Sequence, residues 1–484
     1  MKKIIFRADG NSEVGLGHLY RIFALIEIFK SVSEYIILTK IETTTSAIPT
    51  DYKYEFIPGN ISIIDEPAWI SQHYPSDIYL IVADGYQFSS QYQKTIKDFN
   101  YKLIYIDDQI KDKMYADIVI NHALSVNSSL YNSESYTKFA LGTSFAILRP
   151  LFLQAAGRKR EIKSLQTAFV CFGGSDPNDL TFKATKALLN VGVFNKINVI
   201  IGAAYKHTKI REIESVSKEL FIYQNLTETE LISIMENSDF AIAPSSTIVY
   251  ELCCIKMPIL SGYSVDNQKN IYEGCVKSGC IIDGGNFQNY TIKDFENQIK
   301  KVTQEKDYST YLSAQMKMFD AKIKHRFINL IYPINYRMAA ASDMLLLYDW
   351  SNEKETRTNS YHSEPIDLQT HKIWFHKKLK DNNTLIYIAE VEHEPVGIVR
   401  YEIGIEKAIV GVIVNSKFRG KGLASLFLSD TVKLYFEKSE KPIFAYIKKE
   451  NIGSKRSFEK ANYVFLKEEM THGFNSYVYK KEKE

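Results

Sequence analysis

No Cys-x-x-Cys pair occurs in this sequence, and its five cysteines (Cys171, Cys253, Cys254, Cys275, Cys280) all fall in one part of the chain. The usual zinc and redox-dithiol spacings are therefore missing, and buried, reduced thiols in a cytoplasmic protein are the expectation. No apolar run approaches the ~20 residues of a membrane helix. The N-terminal "MKKIIFRADG" turns polar too soon for a secretory signal, so no membrane partner is expected. Charge bias is absent as well: 60 basic against 57 acidic residues leave a net +3, too little for a broad nucleic-acid-binding face. The ten histidines lack metal-ligand spacing, so no metal site is expected.

What is present is length and alternation. A chain of 484 residues exceeds one hydrophobic core. Short β-branched runs ("KIIFRA", "EYIILTK", "IYLIVAD", "KLIYIDD", "DIVINH") alternate with helical spans such as "GHLYRIFALIEIFKSV". That alternation predicts a parallel sheet with helices on both faces. The pattern restarts near Arg149 and Pro150 with "TAFVCFGGSD", "INVIIGAA", "LFIYQNL", "FAIAPSS", "MPILSGY" and "GCIIDGG". Beyond about residue 330 a hairpin-like meander, "TLIYIAEVEHEPVGIVRYEI", signals a mixed α+β unit. The expected domains are residues 1–148, 149–328 and 333–484. The tail "KKEKE" is expected to fray.

The stretch "RADGNSEVGLGHLYR" (7–21) places Gly10, Gly15 and Gly17 between a strand and a helix. Such a loop presents free amides to an anion. His18 and Leu19 stand where a Walker A loop needs Lys-Ser/Thr, and the glycine spacing departs from GxGxxG. His18, in the first helical turn, reads either as a proton acceptor or as a structural helix-end histidine.

Further loops repeat the design. "FVCFGGSDPNDLT" sets Gly173, Gly174 and Ser175 after a strand, with Asp176 or Asn178 to cap the next helix. "FAIAPSSTIVYEL" sets Ser245, Ser246 and Thr247 before a helix that carries Glu251. Phosphate binding and simple N-capping both fit the serines. For Glu251 the two readings are a ligand contact and a solvated helix face. Near the C-terminus "VIVNSKFRGKGLASLFL" leads from a strand through Arg419, Gly420, Lys421 and Gly422 into a helix starting at Leu423 and Ala424. This arrangement suits a pyrophosphate; a basic turn before a helix is the plainer reading.

"RADGNSEVGLGHLYR", "FGGSDPNDLT" and "APSSTIVYELCCIKMPIL", in that order, resemble the UDP-sugar hydrolases of pseudaminic acid biosynthesis. That family is in turn similar to GT-B glycosyltransferases of the lipid II-forming type. The resemblance covers roughly residues 1–325. It implies C–O cleavage at the anomeric carbon with inversion and without a metal, His18 being the base that activates water. It also implies that Glu251 holds the ribose, that Tyr86 ("ADGYQ") lies on the substrate side, and that Asn267 and Gln268 ("SVDNQKN") lie near the sugar. Arg7, Gly15, Gly17, Gly174, Ser175, Ser245, Ser246 and Thr247 would complete the UDP-sugar site.

"VIVNSKFRGKGLASLFL" with "KKENIGSKRSFEKANYVFL" resembles the acetyl-CoA elements of GNAT acetyltransferases over roughly residues 333–480. Lys417 stands where that motif usually opens with Arg or Gln. The resemblance implies acetyl-CoA held by Val412, Val414, Arg419, Gly420, Lys421, Gly422, Leu423, Ala424 and Asn451. Phe458 occupies the position of a common general-acid tyrosine, which leaves Tyr463, Tyr446 or water for that task. Glu402 is a candidate base. The expected fold is α/β: two Rossmann-like domains in a GT-B-like arrangement, then an α+β GNAT domain. The expected function is acetylation of a UDP-4-amino sugar followed by its hydrolysis. The alternatives are a GT-B glycosyltransferase with an appended acetyltransferase, and a non-catalytic nucleotide-sugar sensor.

Overall fold

The computed structural model describes residues 1–11, 15–174, 176–202, 204–214, 217–305 and 307–483. Ser175 of the expected nucleotide site lies outside the described residues. The chain divides into two compact units, Lys2–Phe327 and Ile328–Glu484, the second also taking in Met1.

The first unit contains two sheets. One holds β1 (Lys3–Ala8), β2 (Tyr35–Lys40), β3 (Tyr54–Ile57), β4 (Tyr79–Asp84), β5 (Leu103–Ile106), β6 (Ile118–Asn121) and β7 (Lys138–Leu141), in the order β3-β2-β1-β4-β5-β6-β7. The other holds β8 (Thr167–Cys171), β9 (Lys196–Ile201), β10 (Leu220–Gln224), β11 (Phe240–Pro244), β12 (Ile259–Tyr263) and β13 (Ile282–Asn286), in the order β10-β9-β8-β11-β12-β13. All these pairings are parallel. The central strands are buried on both faces, which is why they read as continuous apolar runs rather than alternations. Ile5, Ile81 and Leu103 anchor one core, and Val170, Val199, Ile242 and Phe295 the other.

Each parallel sheet reverses its winding at one point, between β1 and β4 in the first and between β8 and β11 in the second. Ligands of open α/β sheets bind outside the carboxyl ends of the strands at such a point. The glycine loop before His18 follows β1, the Gly173–Gly174 turn follows β8 and the Ser245–Ser246 turn follows β11. The two sheets share a short connector, the Pro150–Ala155 helix, which packs on both the Gly17–Phe29 and the Thr247–Ile255 helices. Buried Lys256 fixes it, its ammonium donating to the carbonyls of Ala155, Ala156 and Cys254 at 2.8–3.3 Å. All five cysteines are free and buried.

The second unit holds one sheet: β14 (Ile334–Met338), β15 (Thr384–Val391), β16 (Glu394–Ile403), β17 (Ala408–Val414), β18 (Ile443–Lys448), β19 (Val464–Thr471) and β20 (Phe474–Lys481), in the order β14-β15-β16-β17-β18-β20-β19. Only β17 and β18 run parallel. They pair at Ala408↔Ile443 and Ile409↔Phe444 and then part, although both strands continue. The sheet therefore opens toward Val414 and Lys448. Ile386, Ile388 and Ile398 bury one face against Leu347, Trp350 and Phe375. Among the described residues no helix is long and apolar enough to cross a membrane.

Candidate functional site

At the first switch point the backbone leaves β1 and re-enters a helix at Gly17. Gly15, at φ +79°, adopts a left-handed turn that a side chain would strain, and space around it is open. The turn delivers His18 against the end of β4. Its Nδ1 lies 2.7 Å from Asp84 Oδ1, and both residues are buried. Arg21, one turn further along the same helix, donates to both Asp84 oxygens at 2.7 Å and to Asp108 Oδ2 at 2.9 Å. The Arg21 guanidinium also stands 2.8 Å from His18 Nδ1. Asp84 can only accept, so the tautomer that satisfies it carries the proton on Nδ1, and the Arg21 N–H beside that atom is then taken by Asp84 Oδ1 at 2.7 Å. Nε2 is then left with its lone pair, and among the described residues it has no hydrogen-bond partner.

Tyr86 completes this cluster. Its ring meets the imidazole edge-on, with centroids 4.8 Å apart, and its hydroxyl donates to Asp108 at 3.3 Å. It is about half exposed.

Arg7 is not at this surface, contrary to the expected ligand role. It is wholly buried beneath the loop, paired with Glu66 through two bonds of 2.7 and 3.0 Å and with Asp9 at 2.6 Å. Asp9 in turn accepts from the Lys40 amide and from Gln87. Arg7 therefore braces the loop from below.

At the second switch point Gly174 follows β8, and a Cβ on Gly202 at the end of β9 would collide with it. The two backbones are closely apposed at that point. Asp176, rather than Asn178, caps the Leu180–Val191 helix, accepting from the amides of Leu180 and Thr181 at 3.0 and 2.7 Å. Ser246 stands at the N-cap of the Thr247–Ile255 helix but makes no side-chain cap bond. Thr247 begins that helix half-buried. Ser245 departs from expectation. It is fully buried, its hydroxyl bonded to Ser261 at 2.8 Å and its amide to the Gly262 carbonyl, so it locks β11 to β12 and presents no hydroxyl to a phosphate.

Glu251 is buried, not a solvated helix face. Arg149 grips both its oxygens at 2.8 and 2.9 Å. Burial pushes its carboxyl up, and the Arg149 charge opposes that. Gln268 spends its carbonyl oxygen on the Ser264 amide at 2.8 Å, while Asn267 is exposed in the same turn. Among the described residues no group of three or more His, Cys, Asp or Glu is placed to hold a metal.

In the second unit the loop after β17 lies at the open end of the parted strands. Val412 and Val414 lie beyond the last β17–β18 pair. Gly420 and Gly422 both sit at φ +75° with open space where a side chain would project. Among the described residues the amides of residues 420–424 find no backbone acceptor outside the helix that Leu423 begins. These amides suit a diphosphate. Lys421 lies over the Phe418 ring, 5.4 Å from its centroid, and Ala424 is half-buried in the first turn. Arg419 instead turns back. Its guanidinium binds Glu353, Glu355, Thr356 and the Val414 carbonyl, and its amide donates to Ser416. It fastens the loop rather than facing a ligand. Asn451 caps the Ile452–Lys460 helix through Oδ1 (3.0 Å to the Ser454 amide), which leaves its amide nitrogen free to donate.

Phe458 and Tyr463 are buried ring against ring, with centroids 5.0 Å apart. Tyr463 therefore does not reach the opening. Tyr446, on β18, is half-buried and takes a 2.6 Å bond from the Lys407 ammonium. Glu402 sits opposite Ile409, at the closed end of the sheet. Burial raises its carboxyl, but Arg400 and Lys378 outweigh that and hold it below the usual range. Its place and its charge both argue against a base.

Residues 345–463 match the model of the acetyltransferase (GNAT) family. Three curated relatives bear on the rest of the chain. The uncharacterized protein MJ1062 of Methanocaldococcus jannaschii is 24% identical over 486 residues, spanning 94% of this chain and 96% of the relative. The UDP-2,4-diacetamido-2,4,6-trideoxy-beta-L-altropyranose hydrolase of Campylobacter jejuni is 25% identical over 296 residues, 58% of this chain and 98% of that protein. The spore coat polysaccharide biosynthesis protein SpsG of Bacillus subtilis is 25% identical over 285 residues, 57% of this chain and 82% of its own length. The GNAT segment is thus joined to a part that resembles sugar-pathway proteins, and one relative spans both.

Sequence reading alone placed neither Asp84, Arg21 nor Asp108 beside His18, nor Arg149 on Glu251. The available signal was positional: each carboxylate stands at or just past the end of a β-branched run, and Arg21 lies three residues beyond His18.

Proposed function

We propose that the chain is a two-step nucleotide-sugar enzyme. The unit Ile328–Glu484 acetylates the 4-amino group of a UDP-4-amino-4,6-dideoxy-N-acetyl-altrosamine. The unit Lys2–Phe327 hydrolyses the resulting UDP-2,4-diacetamido-2,4,6-trideoxy-altropyranose at C1. One observation carries the hydrolytic half. The His18–Asp84 pair lies at the β1/β4 switch point, with Asp84 on Nδ1 and the Nε2 lone pair available. Nε2 takes a proton from water as the water oxygen bonds to C1. The C1–O bond breaks on the opposite face, and its electron pair leaves on the UDP phosphate, so the configuration inverts. Free amides at Gly174 and at the start of the Thr247–Ile255 helix suit the charge that develops there.

For the acetyl step, the opened β17–β18 pair and the Gly420–Gly422 loop support acetyl-CoA as the donor, which supplies the acetyl group as a thioester. The neutral amine attacks the thioester carbonyl, the C–S bond breaks, the nitrogen gives up a proton as the amide forms, and the thiolate takes one up. Tyr446 has its hydroxyl at the Lys407 ammonium, by the closed end of the sheet, and Tyr463 is buried, so water is the proton source of this reading.

Anomeric proton NMR of the purified chain with acetyl-CoA and the 4-amino UDP-sugar tests both halves. The expected result is an N-acetyl signal followed by free sugar and UDP without any added acceptor. UDP release that requires a second sugar or lipid acceptor would make the first unit a glycosyltransferase instead.

A further inference from the structure

The proposed chemistry leaves two buried imidazoles unused, His122 in the first unit and His371 in the second. His122 follows β6, and its Nδ1 accepts the Ile147 amide N–H at 3.3 Å. Its carbonyl accepts the Tyr250 hydroxyl at 2.9 Å, and its ring meets the Tyr250 ring edge-on at 5.4 Å. Tyr250 adjoins Glu251 on the Thr247–Ile255 helix. Ile147 lies two residues before Arg149, which grips Glu251. His122 is thereby bound from two directions to the helix whose N-terminus faces the second switch point.

Its other side belongs to the first switch point. Asp84 ends β4, Asp108 lies just past β5 and His122 just past β6, on adjacent parallel strands spaced ~4.8 Å apart. The Asp107 amide donates to the Ile120 carbonyl at 2.9 Å and stitches the last two together. The charges that act on the His122 ring are those of Arg21, Asp108 and Asp84, the groups that surround His18. Tyr250 is a further polar side chain packed on it.

We propose that His122 is a positioning residue: with Tyr250 it ties the nucleotide-facing helix to the Asp84–Arg21–Asp108 cluster, so that nucleotide binding sets the orientation of His18. This rests on the nucleotide-sugar reading above. It goes beyond that reading by giving the two switch points a shared element, where otherwise each would act alone.

Three variants and one non-catalytic readout test it. Tyr250→Phe removes only the bond to the His122 carbonyl. His122→Leu orphans the Ile147 amide, while His122→Asn offers Oδ1 in place of Nδ1. UDP alone is titrated by calorimetry while the ¹⁵N signals of the His18 ring are followed. In the wild type, UDP should shift those signals. In Tyr250→Phe and His122→Leu, UDP affinity should stay within about threefold while the His18 response disappears; misplacement of this kind should cost UDP release about tenfold or more in kcat with little change in KM. His122→Asn should restore the response. An undiminished His18 response and an unchanged kcat in Tyr250→Phe and His122→Leu would overturn the coupling while leaving the nucleotide-sugar reading standing. Failure of the wild type to bind UDP would overturn that reading itself, and the coupling with it.

Discussion

His18 Nδ1 lies 2.7 Å from Asp84 Oδ1, although 66 residues separate them in sequence. A helix N-terminus supplies the imidazole, and the end of the adjacent parallel strand supplies the carboxylate. Asp84 keeps this place because Arg21 binds both of its oxygens.

Asp84→Asn should therefore leave the fold intact and remove the reaction at C1. An amide at residue 84 is free to donate to Nδ1, which moves the proton to Nε2, the atom that accepts it from water in the proposed hydrolysis. By analogy with tautomer-inverting substitutions in catalytic triads, UDP release should fall by roughly 10²–10⁴ in kcat. KM for the UDP-sugar should change less than about threefold, because substrate binding is not the interaction removed. Acetylation by the second unit should continue. Steady-state UDP release with the diacetamido UDP-sugar checks this, and a variant with normal kcat would exclude Asp84 from the mechanism.

Arg7 poses the opposite case. Its guanidinium is spent on Glu66 and Asp9 inside the fold. Glu66→Leu should destabilise the first unit by about 3 kcal/mol, because it strands a buried cation with one partner fewer. Arg7→Met combined with Glu66→Leu should recover part of that loss. Urea unfolding of the three variants checks the cycle. Loss of UDP affinity with unchanged stability in Arg7→Met would instead return Arg7 to the ligand site.

The contrast shows which features the sequence makes legible. Strands of parallel sheets covered on both faces are apolar throughout, so both Rossmann-like sheets stand out. The glycine-rich loops do too, because each is contiguous and follows a strand. Charge pairing is not contiguous. Whether Arg7 turns toward a ligand or under the loop depends on Glu66, 59 residues away and on another element. Ser245 looks like a phosphate-binding serine until β12 supplies Ser261 as its partner. Arg419 looks like part of a diphosphate cradle until the helix at Lys354–Asn359 and the residue before it provide its carboxylates. In each case the motif fixes the backbone, and a partner distant in sequence fixes the side chain.

His122 predicts a pH dependence of stability. Burial and the nearby Arg21 charge lower its protonation to about pH 4, against 6.5 for an ordinary histidine. Between those values the unfolded chain binds more protons than the folded one. Stability should therefore fall as pH drops from 6.5 toward 4 and stop falling on this account below pH 4. The full loss is about 3 kcal/mol at about 1.4 kcal/mol per pH unit. Paired urea titrations at pH 7 and pH 4.5 isolate it: the wild type should lose more stability between them than His122→Asn does. Equal losses in the two proteins would mean that the ring is not the titrating group.

Gly420 separates the two activities. At φ +75° any side chain strains the backbone, and a glutamate adds negative charge beside amides that face a diphosphate in the proposed donor site. Gly420→Glu should weaken acetyl-CoA binding by at least about 100-fold, since unfavourable charge adds to a strain of order 1–3 kcal/mol. Gly420→Ala, which brings the strain without the charge, should show a smaller loss, so the difference between the two reads the electrostatic part. UDP release from an already acetylated UDP-sugar should be unaffected in both, because His18 and Asp84 belong to the other unit. Calorimetric titration with acetyl-CoA alongside a UDP-release assay measures the two effects on the same preparation. Retained acetyl-CoA affinity in Gly420→Glu would remove the loop from the donor site, whereas loss of both activities would show that the loop supports more of the molecule than its own unit.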